Sequence, residues 1–387
     1  MKKSFRILFV VAVSLSLILS GCAKQEEAAG TIQIGLQAPL TGDFAAEGQW
    51  AKQSVEIAAK LINDKGGVLG KQVEIVVVDD ASNPKDSALA AQKVIAQGLQ
   101  QVIASYGSSV TAPAADLYDA NKVVSVGYGC TAVRLTMDTQ RPYFFRTAGR
   151  DDTQSEFFVK YATEVLNAKR IAIMHDNQDY GKGVADDALK FMQPFIDSGQ
   201  VEIVYFDAIT PGESDYSAVI SQIKELNPDV WFFTAYYPEA ALLLKQAREA
   251  GLTTVFVGNN SVPTPEFEKI AGVAAINGSI HLNEPMPQFL GYPESKEFLD
   301  AYKAKYNEIP GSIWAVYAAD ALNALVAAIE RAGSTDPDAV ASQMRTMTDA
   351  KGITGPLMFT ERGDRKDIPY YAYMYNAEGV LELSYPK

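Results

Sequence analysis

Short apolar segments alternate with amphipathic segments along most of this chain, and this alternation limits its fold more than any other feature. One series of apolar segments begins at Thr31 and a second begins near Arg170. The strands that we predict from both series are 31–36, 73–78, 101–104, 170–174, 201–206, 229–233 and 254–257. Strands that alternate with helices form parallel sheets covered by helices. The sequence therefore predicts an α/β fold with two doubly wound parallel sheets in tandem.

The C-terminal part of the chain departs from this pattern. Two long helices, 295–307 and 312–332, are predicted to precede a β-rich tail that contains strands at 357–360 and 370–375. The chain that follows the N-terminal leader has about 360 residues, which is too long for one ordinary core and indicates two domains. Hydrophobic residues make up 48% of the sequence, which is enough for both cores.

The first residues are typical of an export leader. Lys2, Lys3 and Arg6 precede an uncharged stretch over 7–19, which is shorter than the about 20 apolar residues of a membrane-spanning helix. The stretch ends at Leu19-Ser-Gly-Cys22, which resembles the bacterial lipobox, whose cysteine carries lipid in the mature protein. This resemblance implies a lipoprotein signal peptide over 1–21, lipid attachment at Cys22 and a flexible tether over 22–30. The alternative is an ordinary signal peptide with an incidental cysteine.

Composition excludes several classes of function. The net charge of −13 disfavours nucleic acid as a partner. Apart from Cys22 the chain contains one cysteine, Cys130, so we expect no intrachain disulfide in the mature protein. His175 and His281 are the only histidines, which leaves little for a zinc site or a histidine-based catalytic centre. We therefore expect neither a metal nor a cofactor.

The loops that follow the predicted strands share a composition that points to a binding site. In doubly wound sheets, ligands bind beyond the carboxyl ends of the strands. These loops are rich in Gly, Ser, Thr, Asn or Tyr, and they contain neither Lys nor Arg; they are 38–43, 105–111, 127–131, 175–181, 234–238 and 258–263. Such a site offers hydroxyls, backbone amides and aromatic walls rather than strong charge.

Ser108 lies in one of these loops and has several interpretations. As a nucleophile it lacks a base that would take its proton. The nearest candidate for a phosphate loop, 66–71, has one residue too few for the G-x-x-x-x-G-K spacing. Ser109 or Thr111 could instead cap a helix over 114–120. Capping is compatible with ligand binding, because the N-terminus of a helix also attracts anions.

A series of short motifs, in their order and spacing, resembles the type I periplasmic binding proteins, in their leucine/isoleucine/valine-binding branch. The motifs include Pro39-Leu-Thr-Gly42, Ile62-Asn-Asp-Lys-Gly-Gly67, Gly107-Ser-Ser-Val-Thr111, Phe206-Asp-Ala-Ile-Thr210 and Gly355-Pro-Leu357. The resemblance implies two lobes joined by three hinge crossings, with the ligand in the cleft between them. It places 31–148 plus 285–357 in the N-terminal lobe and 149–284 plus 358–387 in the C-terminal lobe.

The resemblance also implies the residues that bind the ligand. Ser108 and Thr131 match the serine and threonine that hold the ligand carboxylate, and Gly129 leaves its backbone groups approachable. Tyr180 and Tyr236 match aromatic positions that close over the ligand from the opposite lobe.

The expected side-chain pocket includes Tyr106, which lies two residues before Ser108 at a position that lines this pocket in the family. Phe44, Glu47 and Ile313 are weaker matches to the same pocket. A bulky phenol at position 106 should change which ligands fit.

One departure from the family concerns the ligand ammonium group. Amino-acid binders of this branch usually pair the ammonium with an acidic residue at the position that Asn260 occupies here. A buried ammonium without a countercharge is costly. We still expect Asn260 to bind the ligand, because its side-chain carbonyl can accept a hydrogen bond from an ammonium group, although without a full countercharge. Either another acidic residue supplies the charge, with Glu47, Glu239 and Glu284 as candidates, or the ligand has no ammonium group.

The function implied by the resemblance is that of a monomeric, non-catalytic solute-binding protein. It would be exported, anchored in a membrane by its lipid and facing the periplasm or the cell exterior, and it would deliver a branched-chain or related hydrophobic amino acid to an ABC permease. The alternatives are a binder of a non-amino carboxylate or small amide, a lipoprotein that presents ligand to a sensor, and a hydrolase that uses Ser108.

Overall fold

The computed structural model describes residues 30–386, and these form two large sheets with helices packed against them. The signal peptide, the lipid attachment site at Cys22 and nearly all of the tether lie outside the described residues. Most strands of both large sheets are parallel, which confirms the α/β fold expected from the sequence.

The first sheet has the strand order β2-β1-β3-β4-β5, and all of its pairings are parallel. Its strands are β1 (Thr31–Ala38), β2 (Gln72–Asp79), β3 (Gln101–Ile103), β4 (Val124–Gly127) and β5 (Phe144–Arg146). The interior strands β3 and β4 are buried along their whole length, as their apolar composition requires.

The second sheet has the order β14-β13-β10-β9-β8-β6-β7. Its strands are β6 (Arg170–His175), β7 (Glu202–Ala208), β8 (Val230–Thr234), β9 (Val255–Gly258), β10 (Ile280–Asn283), β13 (Tyr371–Tyr375) and β14 (Leu381–Tyr385). The pairings from β7 to β10 are parallel, whereas β13 and β14 add to the edge in antiparallel fashion. A separate small hairpin consists of β11 (Lys351–Gly352) and β12 (Gly355–Pro356).

The helices fall between these strands and after them. They are α1 (Ala45–Asp64), α2 (Pro84–Ala96), α3 (Ser108–Ala120), α4 (Arg134–Met137), α5 (Asp151–Lys160), α6 (Asp179–Asp197), α7 (Ser217–Leu226), α8 (Tyr237–Glu249), α9 (Pro265–Ala271), α10 (Val273–Ile276), α11 (Pro293–Tyr306), α12 (Ile313–Ala332) and α13 (Pro337–Thr346). A π-helical turn, Tyr161–Val165, extends α5, and a short 3-10 turn spans Pro287–Phe289.

Helix α12 is apolar around most of its circumference, and it packs against α1 and against strands β3 and β4 of the first sheet. Among the described residues it is the one helix long and apolar enough to cross a membrane, yet most of it is buried in the protein core. Ser312 caps it by accepting a hydrogen bond from the Ala315 N–H. The neighbouring helix α11 is tied to α1 by the Tyr302 hydroxyl, which donates to Gln53 Oε1 at 2.7 Å.

Two predicted elements differ in the structure. The helix expected over 114–120 begins at Ser108, and neither Ser109 nor Thr111 caps it. Gly107, with φ of 86°, turns the chain into the helix, and Pro113 lies inside the helix rather than at its start.

The strand expected at 357–360 is also wrong. This segment makes one isolated bridge, between Phe359 and Arg365, and then turns tightly. Gly363, with φ of 87°, allows the turn, and its carbonyl accepts a hydrogen bond from the Arg146 N–H of β5. The segment therefore lies against the first sheet before the chain returns to the second at Tyr371, and the lobe boundaries stay predictions.

Candidate ligand-binding site

Ser108 is the first residue of α3 and lies at the carboxyl ends of β3 and β4. Its Oγ accepts hydrogen bonds from the backbone N–H groups of Thr131, at 3.2 Å, and Ala132, at 3.1 Å. These bonds tie the loop after β4 to the start of the helix and leave the Ser108 hydroxyl proton free to donate. Among the described residues the side-chain hydrogen bonds of His175 and His281 run to Asn177 and Ser279, and neither histidine is hydrogen-bonded to Ser108.

Gly129 lies under the ring of Tyr106. A Cβ at this position would lie 2.4 Å from the Tyr106 ring, so the close packing of the aromatic side chain requires glycine. Its N–H donates to the Ser105 carbonyl and its own carbonyl accepts from the Gly107 N–H. The structure thus provides a packing reason for this glycine, and its contact with ligand stays a prediction.

A row of aromatic rings runs from the first lobe, which is built on the first sheet, into the second lobe, which is built on the second sheet. Tyr106 packs edge-on against Trp314, with ring centroids 6.3 Å apart, and against Phe44, at 5.3 Å. Phe44 contacts Tyr236 of the second lobe at 4.5 Å, and Tyr236 contacts Tyr180 at 5.2 Å. All members of the row except the partly buried Phe44 are buried. The lobes are therefore closed on each other around these rings.

Two polar contacts between the lobes accompany this closure. The Tyr237 hydroxyl donates to the Asp43 carbonyl at 3.2 Å. Arg134 forms an ion pair with Asp179 at the start of α6. Both contacts join loops at the carboxyl ends of strands, where the sequence placed the site.

Asn260 is buried beyond the end of β9 and is fully engaged by other protein groups. Its Oδ1 accepts a hydrogen bond from the Tyr180 hydroxyl, and its Nδ2 donates to Glu284 Oε2 at 3.1 Å. Glu284 also accepts from the Tyr370 hydroxyl at 3.0 Å. Burial raises the pKa of Glu284, and these hydrogen bonds lower it. Asn260 and Glu284 thus form an internal network behind Tyr180.

Asp151, which the sequence reasoning missed, is the acidic residue in this region that the protein leaves without a partner. It is the first residue of α5, its side chain is fully buried, and neither carboxyl oxygen has a hydrogen-bond partner. Burial raises the pKa of Asp151 to about 8, and the rise is opposed by the Thr131 hydroxyl, which is nearby but does not meet hydrogen-bond geometry, and by the Arg146 guanidinium. The first turn of α5 lies near the aromatic row, because Gln154 on that turn accepts a hydrogen bond from the Asn260 N–H and Asn260 in turn accepts one from the Tyr180 hydroxyl.

Gln154, one turn further along α5, has a similar position. Its Oε1 accepts a hydrogen bond from the Asn260 N–H at 2.8 Å, but its buried Nε2 has no partner. The N-terminal turn of α5 therefore presents both a carboxyl group and an amide donor without protein partners. The signal in the sequence was Arg150-Asp151-Asp152, which is separated from the end of β5 by three residues and looks like an ordinary charged helix start.

Glu47 lies at the other end of the aromatic row, on the first turn of α1. It is buried, its Oε2 accepts from the Ser312 hydroxyl at 2.5 Å, and its Oε1 has no partner. Burial raises the pKa of Glu47 to about 8, and the Ser312 hydrogen bond lowers it. Ile313, the residue after Ser312, is also buried.

Glu239, the remaining acidic candidate from the sequence, accepts a hydrogen bond from the Gly212 N–H at 3.2 Å. Cys130 is buried, as expected for a small residue in the core, and burial raises the pKa of its thiol to about 11. Within residues 30–386, no group of three or more His, Cys, Asp and Glu side chains is arranged to hold a metal ion.

The chain is similar to known binding proteins over most of its length. A profile of the periplasmic binding protein family matches residues 31–379. The leucine-, isoleucine-, valine-, threonine-, and alanine-binding protein of Pseudomonas aeruginosa is 35% identical over 367 residues, which cover 94% of this chain and 95% of the relative.

Solved structures show the same similarity in three dimensions. The leucine binding protein LivK from Thermotoga maritima has a TM-score of 0.83 and 29% identity, covering 91% of this chain and 97% of that one. The branched-chain amino acid binding protein LivJ from Streptococcus pneumoniae, in complex with isoleucine, has a TM-score of 0.82 and 27% identity, covering 92% and 100%. The likeness therefore extends over both lobes.

Proposed function

Because the chain belongs to the periplasmic binding protein family, we propose that it is the extracytoplasmic binding component of an ABC importer. It captures an amino acid between its lobes and delivers it to a membrane permease. The relative from Pseudomonas aeruginosa is named for leucine, isoleucine, valine, threonine and alanine, which supports a branched-chain or related small amino acid as the ligand.

The observation that carries this proposal is the unpartnered carboxyl group of Asp151. Burying a carboxylate is costly unless an opposite charge or hydrogen bonds compensate. The ammonium group of an amino acid, placed against Asp151 and beneath Tyr180 and Tyr236, supplies that compensation. This assignment removes the difficulty raised by Asn260, because the countercharge comes from α5 instead of the loop after β9.

The opposite end of the amino acid backbone is held from the first lobe. The hydroxyl of Ser108 donates to the ligand carboxylate, and the N-terminal amides of α3 add their partial positive charge. Thr131 lies between Ser108 and Asp151. Its N–H donates to Ser108 Oγ, and its carbonyl accepts a hydrogen bond from the Asp151 N–H at 3.0 Å. Carboxylate and ammonium sites are therefore adjacent, as an α-amino acid requires.

Ligand capture by this arrangement proceeds through hinge closure. Each open lobe presents half of the site, and the ligand favours the closed form because it contacts both halves. The permease would recognise that closed form. The lipobox at Leu19-Ser-Gly-Cys22 supports anchoring at the membrane surface through Cys22, with the folded body acting as a monomer.

The test compares leucine with isocaproate, which has the same carbon skeleton without the amino group, by isothermal titration calorimetry. We expect leucine to bind the wild type and isocaproate to bind at least about tenfold more weakly, because isocaproate leaves Asp151 unpaired. Asp151→Asn should weaken leucine binding by about ten- to a hundredfold and remove the preference.

The matched control is Asp152→Asn, which removes the next carboxylate, one that is paired with Arg150. It should keep both the affinity for leucine and the preference. Isocaproate bound as tightly as leucine by the wild type would contradict the amino-acid assignment.

A further inference from the structure

Glu47 and Tyr106 form a second set of unpartnered polar groups at the far end of the aromatic row. Glu47 Oε1 and the Tyr106 hydroxyl are both buried, and neither has a hydrogen-bond partner among the described residues. The two side chains belong to one cluster, because Phe44, one turn before Glu47, and Trp314, two residues after the Ser312 that donates to Glu47, both pack against the Tyr106 ring. Buried polar groups in native proteins nearly always have partners, so a pair without any indicates a ligand.

The two unpartnered carboxyl groups lie at different ends of the row. Gln154, on the same turn of α5 as Asp151, is connected through Asn260 to Tyr180, whereas Ser312, the partner of Glu47, lies two residues before Trp314 at the other end of the row. An amino acid whose ammonium group meets Asp151 therefore points its side chain towards Glu47. The rings between them provide apolar walls for the intervening carbon atoms.

We propose that this end of the site selects an amino acid whose side chain carries a hydroxyl or carboxamide group, which forms hydrogen bonds with Glu47 Oε1 and the Tyr106 hydroxyl. This inference rests on the proposed amino-acid function and narrows its ligand. An aliphatic side chain of the same size, such as that of leucine, leaves both polar atoms unsatisfied, so it should bind about tenfold more weakly than its polar counterpart.

The local geometry favours an uncharged partner over a cation. Glu47 lies at the N-terminal turn of α1, and Ser312, which donates to it, caps α12, so two helix N-termini meet at this carboxyl. Their partial positive charges disfavour a ligand cation at the same place. Because burial raises the pKa of Glu47 to about 8, the carboxyl is mostly protonated at neutral pH and offers both a donor and an acceptor. A hydroxyl or carboxamide offers the matching pair.

The experiment uses pairs of amino acids of equal shape. Calorimetric titrations of the wild-type protein compare threonine with valine and asparagine with leucine, and ornithine represents a cationic side chain. We expect the polar member of at least one pair to bind about tenfold or more tightly than its apolar partner, and ornithine to bind more weakly than that polar member.

Two variants locate the effect at these atoms. Tyr106→Phe removes only the hydroxyl, and Glu47→Leu removes the carboxyl group; each should reduce the preference for the polar member about tenfold. Glu56→Leu, at a partly exposed position on the same helix where the carboxylate pairs with Lys52 and Lys305, should leave it unchanged. If Glu47→Leu does not fold, Tyr106→Phe alone decides, because it keeps the ring that packs over Gly129.

The outcomes separate this inference from the proposed function. If valine and leucine bind at least as tightly as threonine and asparagine, the polar pocket is overturned while the amino-acid function stands. A preference for ornithine overturns it equally. If no amino acid binds the wild type, the proposed function fails, and the inference fails with it.

Discussion

Asp364 and Asp151 are both buried acidic residues near the first crossing between the lobes, yet within the described part of the chain only Asp364 has protein partners for its carboxylate. Asp364 accepts hydrogen bonds from Arg146 Nε at 2.7 Å and from the Thr136 hydroxyl at 2.9 Å, and it also pairs with Arg150. Asp151 has no partner for either oxygen. Both carboxyl groups are buried, and they differ in their number of protein partners; this difference is the reason for the proposal that Asp151 meets the ligand while Asp364 has a structural role.

The Arg146 cluster shows what a structural charge requires. Arg146 is fully buried and donates to the Cys130 and Ala132 carbonyls as well as to Asp364 and Thr136. Because Arg146 ends β5 and Asp364 belongs to the returning C-terminal segment, the cluster joins two crossings to the loop that carries Thr131. The cluster thereby fixes the loop around Thr131, next to the proposed ligand site.

The largest effect should come from breaking this cluster. Arg146→Met leaves the Asp364 carboxylate buried without its main partner, so the free energy of unfolding should fall by about 3 to 5 kcal/mol. Urea denaturation of the ligand-free protein measures the change. Lys182→Met, which breaks an exposed pair with Asp186 on one face of α6, should cost about 0.5 kcal/mol or less. If both variants lose the same free energy of unfolding, a buried ion pair stabilises this protein no more than an exposed one, which would contradict the comparison.

Ser108 is intermediate between Asp364 and Asp151. Its Oγ accepts hydrogen bonds from protein N–H groups, whereas its hydroxyl proton has no partner among the described residues. Ser108→Ala should weaken amino-acid binding by about 1.5 to 3 kcal/mol, since a hydrogen bond to the ligand carboxylate is lost. The variant also frees the N–H groups of Thr131 and Ala132, so thermal stability should fall as well. Ser109→Ala is the matched control and should change neither quantity. Unchanged affinity in Ser108→Ala would contradict the carboxylate site.

The smallest expected effect is a dependence of affinity on pH. The free protein holds Asp151 largely protonated because burial raises its pKa to about 8, but an ammonium ligand requires the ionised form. Arg146 opposes this rise in pKa, while Asp187 and Asp152 add to it. Binding therefore releases a proton, and the association constant should rise with pH up to about 8, by at most about tenfold per unit.

Calorimetry in buffers of different ionisation enthalpy measures this proton release directly. Asp151→Asn should bind its ligands with no pH dependence over the same range, whereas Glu47→Gln should keep the slope. An affinity that falls as the pH rises towards 8 would exclude Asp151 as the ammonium partner.

The sequence was sufficient for the architecture, because alternating strands and helices require parallel sheets. Ser108, Thr131, Tyr180 and Tyr236 do lie just beyond the carboxyl ends of β3, β4, β6 and β8, in the loops or at the first residues of the following helices. Their roles in binding stay predictions, but the aromatic residues of the two lobes do meet.

The sequence did not reveal Asp151 because nothing local marks it as buried. Its neighbours Arg150 and Asp152 pair with each other, which is typical of a solvated helix start, and Asp151 becomes enclosed only through contacts with distant parts of the chain. The start of α3 was missed for a different reason. Pro113 is typical of the first turn of a helix, and the positive φ of Gly107 that sets the true start has no signature beyond the glycine itself.

Trp314 at the end of the aromatic row gives the protein an optical reporter. It contacts Tyr106 at 6.3 Å, whereas Trp231 is buried against Phe256 in the second core and Trp50 lies beside Gly311. At the proposed ligand site Trp314 is thus the indole whose surroundings should change on binding. We expect intrinsic fluorescence to follow ligand capture in real time without any added label.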